Sequence, residues 1–323
     1  MIRVLIYFVF LPFLFLGCNI TSGSSSNNYN SIDENKTTNI LYDSNKSRND
    51  YYGYGKLNLA NLLKKVTSLP TESNHTKGEY YTQQWAIDYD ETFYTQNSIN
   101  QNAHINPQNA YSKFTGNGVT VAVIDDGFDI NHPEIKDKII AKKAFDVSGN
   151  TSDDVSQDNS NNHGTAVLGI IASKANVDGI NGIAPNVNLI LIKMPMLLSA
   201  SVISNMFDFA IENGADIINC SWGTGDVADS VRDKLNDLSV SARSGKGVIT
   251  IFASGNNNTN MENDESSVKG VIAVGATGIK NLRTSYSNYG KDLDIVVPGG
   301  EYLGITTLDP LNNSGVANSD YLL

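Results

Sequence analysis

The chain is poor in the residues that usually announce a special chemistry. Its 323 residues include only two cysteines, four histidines, two tryptophans and eight prolines. Two cysteines, Cys18 and Cys220, cannot build a disulfide framework. Four histidines exclude a His-rich metal centre. Basic residues are outnumbered 34 to 23 and form no block, giving a net charge of -11. This excludes the clustered Lys/Arg surface that displaces counterions from nucleic acid. No G-x-S-x-G elbow, H-E-x-x-H helix or G-x-x-x-x-G-K loop occurs, which sets aside the hydrolase, zinc-protease and phosphate-binding classes that depend on them. What is present is a hydrophobic fraction of 40%, enough for a substantial core in a domain of about 200 residues.

The one long apolar run, Val4 to Leu16, follows Arg3 and contains Pro12. It is short for a mature membrane span and reads as the apolar stretch of a signal peptide over residues 1–17. The Gly17-Cys18 junction resembles a bacterial lipobox, with Phe15 where that motif usually has Leu. That resemblance implies lipid on Cys18, an extracytoplasmic membrane anchor, and Cys220 left as a buried free thiol. Residues 18–79 read as a polar tether, opened by the Ser/Asn-rich SGSSSNNYNS. Within it, Leu57, Leu59, Leu62, Leu63 and Val66 predict a short amphipathic helix starting near Asn58.

From Gly116 strands and helices alternate. The strands are 119–124, 138–145, 188–193, 215–222, 247–254, 270–276 and 293–298, and the helices are 163–173, 201–213 and 229–244. Continuous apolar strands separated by helices predict an α/β fold with a doubly wound parallel sheet. Ligands in such sheets sit beyond the carboxyl ends of the strands. Those ends carry Asp125-Asp126-Gly127, Ser221-Trp222-Gly223 and Gly255-Asn256, and His163 opens the small-residue helix. An acid, an imidazole and a carboxamide so placed are what a hydrolase needs to orient a base and bind an oxyanion.

The segments VAVIDDGFDINHPE, NNHGTAVLGIIAS, INCSWG, ITIFASGNNN, VIAVGAT and IVVPGG resemble, in order and spacing, the subtilisin-like serine proteases, the subtilases. The DDG and SWG forms lean towards the kexin-like members. The resemblance covers residues 80–323 and implies a catalytic domain there. It makes Asp125 the triad acid, His163 the general base, Asn256 the oxyanion donor, and Ser221, Trp222 and Gly223 the edge that pairs with a peptide or protein substrate. Asp126, Asp129, His132 and Glu134 are expected in solvated-loop or capping roles. No cofactor is required for the chemistry. Structural calcium is common in the family, its ligands here are unknown, and Asp153, Asp154, Asp158, Asp292 and Asp294 are the acidic candidates.

Two departures from the family pattern stand out. Ala166 replaces a second histidine of the histidine motif, a minor loss. More seriously, Gly-Thr-Ser-x-Ala-x-Pro, which carries the nucleophile, is absent, and neither Ser314 nor Ser319 has its context. The expectation is therefore a catalytic domain incomplete at the C-terminus and inactive alone, poorly folded or in need of a partner segment. The competing readings are a pseudoprotease that binds peptides without cutting them and a nonfunctional remnant. Finally, residues 52–66 (YGYGKLNLANLLKKV) resemble the segment that closes subtilase domains, yet precede the aspartate. A chance match is the favoured account, against a rearranged gene or a docking helix within a prosegment.

Overall fold

The computed structural model describes residues 48–59, 76–111, 113–157, 162–176, 178–311, 315, 317 and 319–323. The expected leader with Cys18, the Ser/Asn-rich stretch expected as a tether, the predicted helix beyond residue 59, Asp158 and Ser314 lie outside them. The described residues form one large sheet in the order β3-β2-β4-β1-β5-β6-β7-β8. Its strands are β1 (Thr120–Asp125), β2 (Ile139–Phe145), β3 (Thr151–Ser152), β4 (Asn188–Lys193), β5 (Ile217–Cys220), β6 (Ile249–Ala253), β7 (Val271–Thr277) and β8 (Ile295–Pro298). All neighbours pair in parallel except β2 with β3. The expected α/β parallel sheet is thus present.

β1 lies at the centre because both its faces are apolar. Val121 and Val123 face one way and Ala122 and Ile124 the other, all at 2% exposure or less. Among the described residues the sheet is accompanied by the helices α1 (Glu91–Gln96), α2 (Gln108–Tyr111), α3 (His163–Ala172), α4 (Ala200–Glu212) and α5 (Asp229–Val240). Ala122 and Ile124 join the core made with Met206 and Phe207 of α4 and Leu235 of α5. Val121 and Val123 join the opposite core, with Val167, Leu168 and Ile171 of α3 and with Trp85, Tyr94 and Ile105. Every residue of α3 from Gly164 to Ala172 is buried, so the helix has no polar face. Over β6 to β8, Ile249, Ala253, Ile272 and Ile295 pack against this same core but stay only partly buried. A short antiparallel pair, β9 (Thr307–Leu308) with β10 (Tyr321–Leu322), completes the described residues, β9 lying against α3.

The strand order reverses at β1, whose neighbours β4 and β5 lead to opposite edges of the sheet. The crevice beyond the carboxyl end of β1 is therefore the natural ligand site. One helix is shorter than its sequence suggests. α5 stops at Val240, and a separate turn follows in which Arg243 and Ser244 have φ of 58° and 61°. The Arg243 guanidinium turns back onto the Asp216 carboxylate and the Gly247 carbonyl, contacts that a continued helix would forgo. Cys220 is a buried free thiol, as expected.

The layer before β1 is held by Trp85. It is fully buried, its indole N–H donates to the Gly304 carbonyl at 2.8 Å, and its own carbonyl accepts from the Tyr94 hydroxyl at 2.5 Å. Trp85→Phe is expected to lower unfolding stability by about 1–2 kcal/mol, through lost volume and an orphaned carbonyl. A urea midpoint equal to the parent's would show that this layer does not contribute to the cooperative unit.

Candidate active site

Asp125 ends β1 and is 1% exposed. The chain must then turn sharply: Gly127 has φ of 150°, and a Cβ there would lie 2.7 Å from the Gln157 Cα. His163, the first residue of α3, meets the aspartate across this turn, with Nδ1 donating to Asp125 Oδ1 at 2.8 Å. The same oxygen accepts the Asp126 backbone N–H at 2.9 Å. Asp125 Oδ2 is buried without a hydrogen-bond partner among the described residues.

The start of α3 is fastened to the loop after β1 at further points. Asp126 Oδ1 accepts the Gly164 N–H at 2.9 Å, and Thr165 Oγ1 accepts the Asp129 N–H at 2.9 Å. Asp126 therefore caps the helix that carries His163. Burial, and then the neighbouring Asp125 charge, raise its carboxyl pKa. A cavity of about 530 Å³ opens beside it, lined in part by Phe145, Asp146, Lys193, Met194 and Met196.

Ser221-Trp222-Gly223 follows β5, next to β1. The Trp222 indole N–H donates to the Ile124 carbonyl at 3.1 Å, and its ring stands edge-on to Phe252 at 5.2 Å. A Cβ on Gly223 would meet the Asp264 carboxylate oxygens at 2.7 and 2.8 Å. Asn256 is exposed just beyond β6. Its loop is shaped by Asn288, whose Oδ1 accepts the N–H groups of Asn257 and Thr259 at 2.9 and 3.1 Å.

Three residues of this site escaped the sequence reading. Asn288 gives no local signal, because its partners lie about thirty positions earlier in the chain. Glu265 is fully buried and accepts from the Thr224 N–H and hydroxyl at 2.9 and 2.7 Å. Asp264 is pushed up to about 6 by burial and by its neighbour Glu265. Other expectations need correction. His132 and Glu134 are not solvated, being 0% and 3% exposed. Glu134 accepts from the Lys174 N–H at 3.0 Å and the Tyr321 hydroxyl at 3.3 Å, so a distant segment buries it. Asp129 accepts the N–H groups of Asn131 and Leu311, a turn role.

Three of the five acidic residues considered for calcium have protein partners. Asp153 pairs with Lys143 at 2.8 Å, Asp154 accepts from Ser156, and Asp294 accepts the Ala273 N–H at 2.9 Å. Among the described residues no group of three or more His, Cys, Asp or Glu side chains is placed to hold a metal ion; Asp158 lies outside the described residues.

Comparison with known proteins identifies the family and the fold. Residues 116–321 match the subtilase family, Peptidase_S8. The calcium-dependent protease of Trichormus variabilis is 35% identical over 208 residues, covering 58% of this chain and 31% of that protein. The thermophilic serine proteinase of a Bacillus species is 32% identical over 211 residues, covering 62% and 50%. The chain thus spans a third to a half of the length of these relatives. Among solved structures, a protease of Pseudoalteromonas arctica superposes with a TM-score of 0.63 at 24% identity, over 77% of this chain and 81% of that one. At that identity the likeness concerns the fold.

Proposed function

The chain belongs to the subtilase family, and from that premise we propose that it serves a serine-type endopeptidase acting on peptides or proteins outside the cytoplasm. The observation that carries this reading is the 2.8 Å hydrogen bond between the buried Asp125 carboxylate and His163 Nδ1. A carboxylate at Nδ1 keeps the proton there and leaves Nε2 as the base. Nε2 would take the proton of a serine hydroxyl while that oxygen bonds to the scissile carbonyl carbon. The imidazolium would then return the proton to the leaving amine as the C–N bond breaks. Asn256, exposed beyond β6, is assigned the donation to the developing oxyanion. Ser221, Trp222 and Gly223 are assigned the pairing with the extended substrate backbone.

The nucleophile is the open position. No Gly-Thr-Ser-x-Ala-x-Pro occurs in these 323 residues, so on this reading they do not supply the family's nucleophile. In subtilisin, loss of that serine costs about 10⁶ in turnover. We assign these residues the acid, base and oxyanion half of the site, inactive alone. The same absence favours a second reading, a cleft that binds extended peptides without cutting them. The DDG and SWG sequences support a kexin-like leaning. The leader and Gly17-Cys18 support a lipid anchor on the outer side of a membrane. Among the described residues no helix is long and apolar enough to cross one. Calcium enters no step.

Two measurements test the assignment. A fluorophosphonate is expected to leave the purified 323-residue protein unlabelled, and labelling would overturn the missing-nucleophile reading. Spectra of ¹⁵N-histidine protein should show His163 protonated at Nδ1 in the neutral ring, and Asp125→Asn should shift it to the other tautomer. An unchanged tautomer would remove Asp125 from its assigned role.

A further inference from the structure

Residues 48–59, read from sequence as part of a tether, lie along the free edge of β8. The Tyr54 N–H donates to the Asp294 carbonyl at 2.7 Å, the Leu57 N–H to the Val296 carbonyl at 3.3 Å, and the Val296 N–H to the Gly55 carbonyl at 3.3 Å. Lys56 is bridged in parallel to Val296. At one end, the Gly290 N–H donates to the Asp50 carbonyl and Arg48 donates to the Gly290 carbonyl. At the other, the Leu59 N–H donates to the Ile105 carbonyl at 3.0 Å. Side chains follow the backbone: Lys56, Leu57 and Leu59 are 1%, 7% and 0% exposed, and Tyr52 packs on Met261, Leu293 and Val296.

The turn that makes this fit cannot tolerate ordinary residues. Gly53 has φ of 57°, and a Cβ there would stand 2.2 Å from the Asp294 carbonyl oxygen. Gly55 has φ of 109°. Two glycines at positive φ, one pressed onto a strand backbone, indicate a segment shaped for this edge. A solvated tether needs neither.

We infer that the edge of β8 is an acceptor groove for residues 48–59, which close the sheet as an additional parallel strand, so that the folded domain includes this segment and is assembled in permuted chain order. The inference is independent of the catalytic reading. It leaves no room for residues 48–59 in a prosegment that departs on maturation. A nick anywhere between residues 60 and 75 would leave the amino-terminal piece, with whatever anchor Cys18 carries, bound to the domain by β-strand addition.

The test uses the full chain with a site-specific protease sequence inserted between Glu72 and Ser73. After cutting, the amino-terminal piece should co-elute with the body at the mass of one chain and separate only in denaturant. Gly53→Val should weaken that association by roughly 100-fold or more, whereas Tyr54→Ser, at an exposed side chain (52%), should leave it intact. Release of the unaltered piece from a body that keeps its melting temperature would overturn the inference. Elution at twice the mass would overturn closure within one chain and point to exchange between copies. Should Gly53→Val fail to fold, hydrogen exchange on the unaltered chain decides. The Tyr54 and Leu57 amides should be as protected as that of Val296, and rapid exchange at both would refute the strand.

Discussion

Gly164→Val is expected to lower stability by more than about 3 kcal/mol and to break the hydrogen bond between His163 and Asp125. A Cβ at this position would lie 2.3 Å from the Gly127 carbonyl oxygen and 2.8 Å from the Phe128 ring. The first contact is with backbone, so no rotamer change relieves it. Nor can the loop retreat, because it is tied to the same helix by Asp126 on the Gly164 N–H and by Thr165 on the Asp129 N–H. The helix would have to move, and His163 moves with it. Gly164→Ala should show the same effects at smaller amplitude. The check is a urea titration together with the His163 tautomer measured by ¹⁵N spectra. A stable Gly164→Ala protein that keeps its Nδ1 proton would mean that the close approach of α3 to β1 is not what places the histidine.

That close approach explains why this part of the site was legible in the sequence. A buried strand ending in Asp-Asp-Gly and a helix opening with His-Gly-Thr each carry their own signal. The glycine after the histidine is required by the contact that joins them. The central strands were equally plain, because Val121 to Ile124 is apolar on both faces. α3 has no amphipathic period to read, since it is buried all round. Its run of small residues served instead.

Other parts depended on partners far along the chain. Glu134 follows Asn131, His132 and Pro133, with a single apolar residue, Ile135, before Lys136, which reads as a solvated loop until Tyr321 covers it. β9 and β10 are two residues each and exist through their mutual pairing, which no local pattern encodes. The same holds for Asn288 beneath the Asn256 loop. Residues 52–59 failed in a different way. Their pattern is short enough to arise by chance, so the sequence alone gives it little weight. Chain order is a weak constraint on a strand that needs only an edge to pair with, and the edge of β8 is reached from Arg48 through contacts at Gly290 and Asp294.

Lys56, at the middle of that strand, makes the closure sensitive to pH. The residue is 1% exposed and its ammonium donates to the Asn102 carbonyl. Burial lowers its pKa from 10.5 to about 7. His104 faces the same space, and the two cations disfavour each other, while Asp88 opposes this at His104. Because the folded pKa is depressed, the unfolded chain binds the extra proton between about pH 7 and 10.5. Stability therefore rises with pH across that window, by up to about 1.4 kcal/mol per unit. Lys138, lowered to about 8 by burial, adds a smaller slope of the same sign, so the variant must be compared with the parent. Lys56→Met should remove roughly 2–3 kcal/mol of the gain between about pH 7.5 and 9.5, read as the difference in urea stability at the two ends. Measurements should stay below about pH 10, where buried tyrosines such as Tyr286, raised to about 12, begin to act with the opposite sign. An unchanged slope in Lys56→Met would place the ammonium in water, and with it the strand away from β8. A flattened slope would mean that the edge of the sheet is closed by a segment whose hold tightens as the proton leaves.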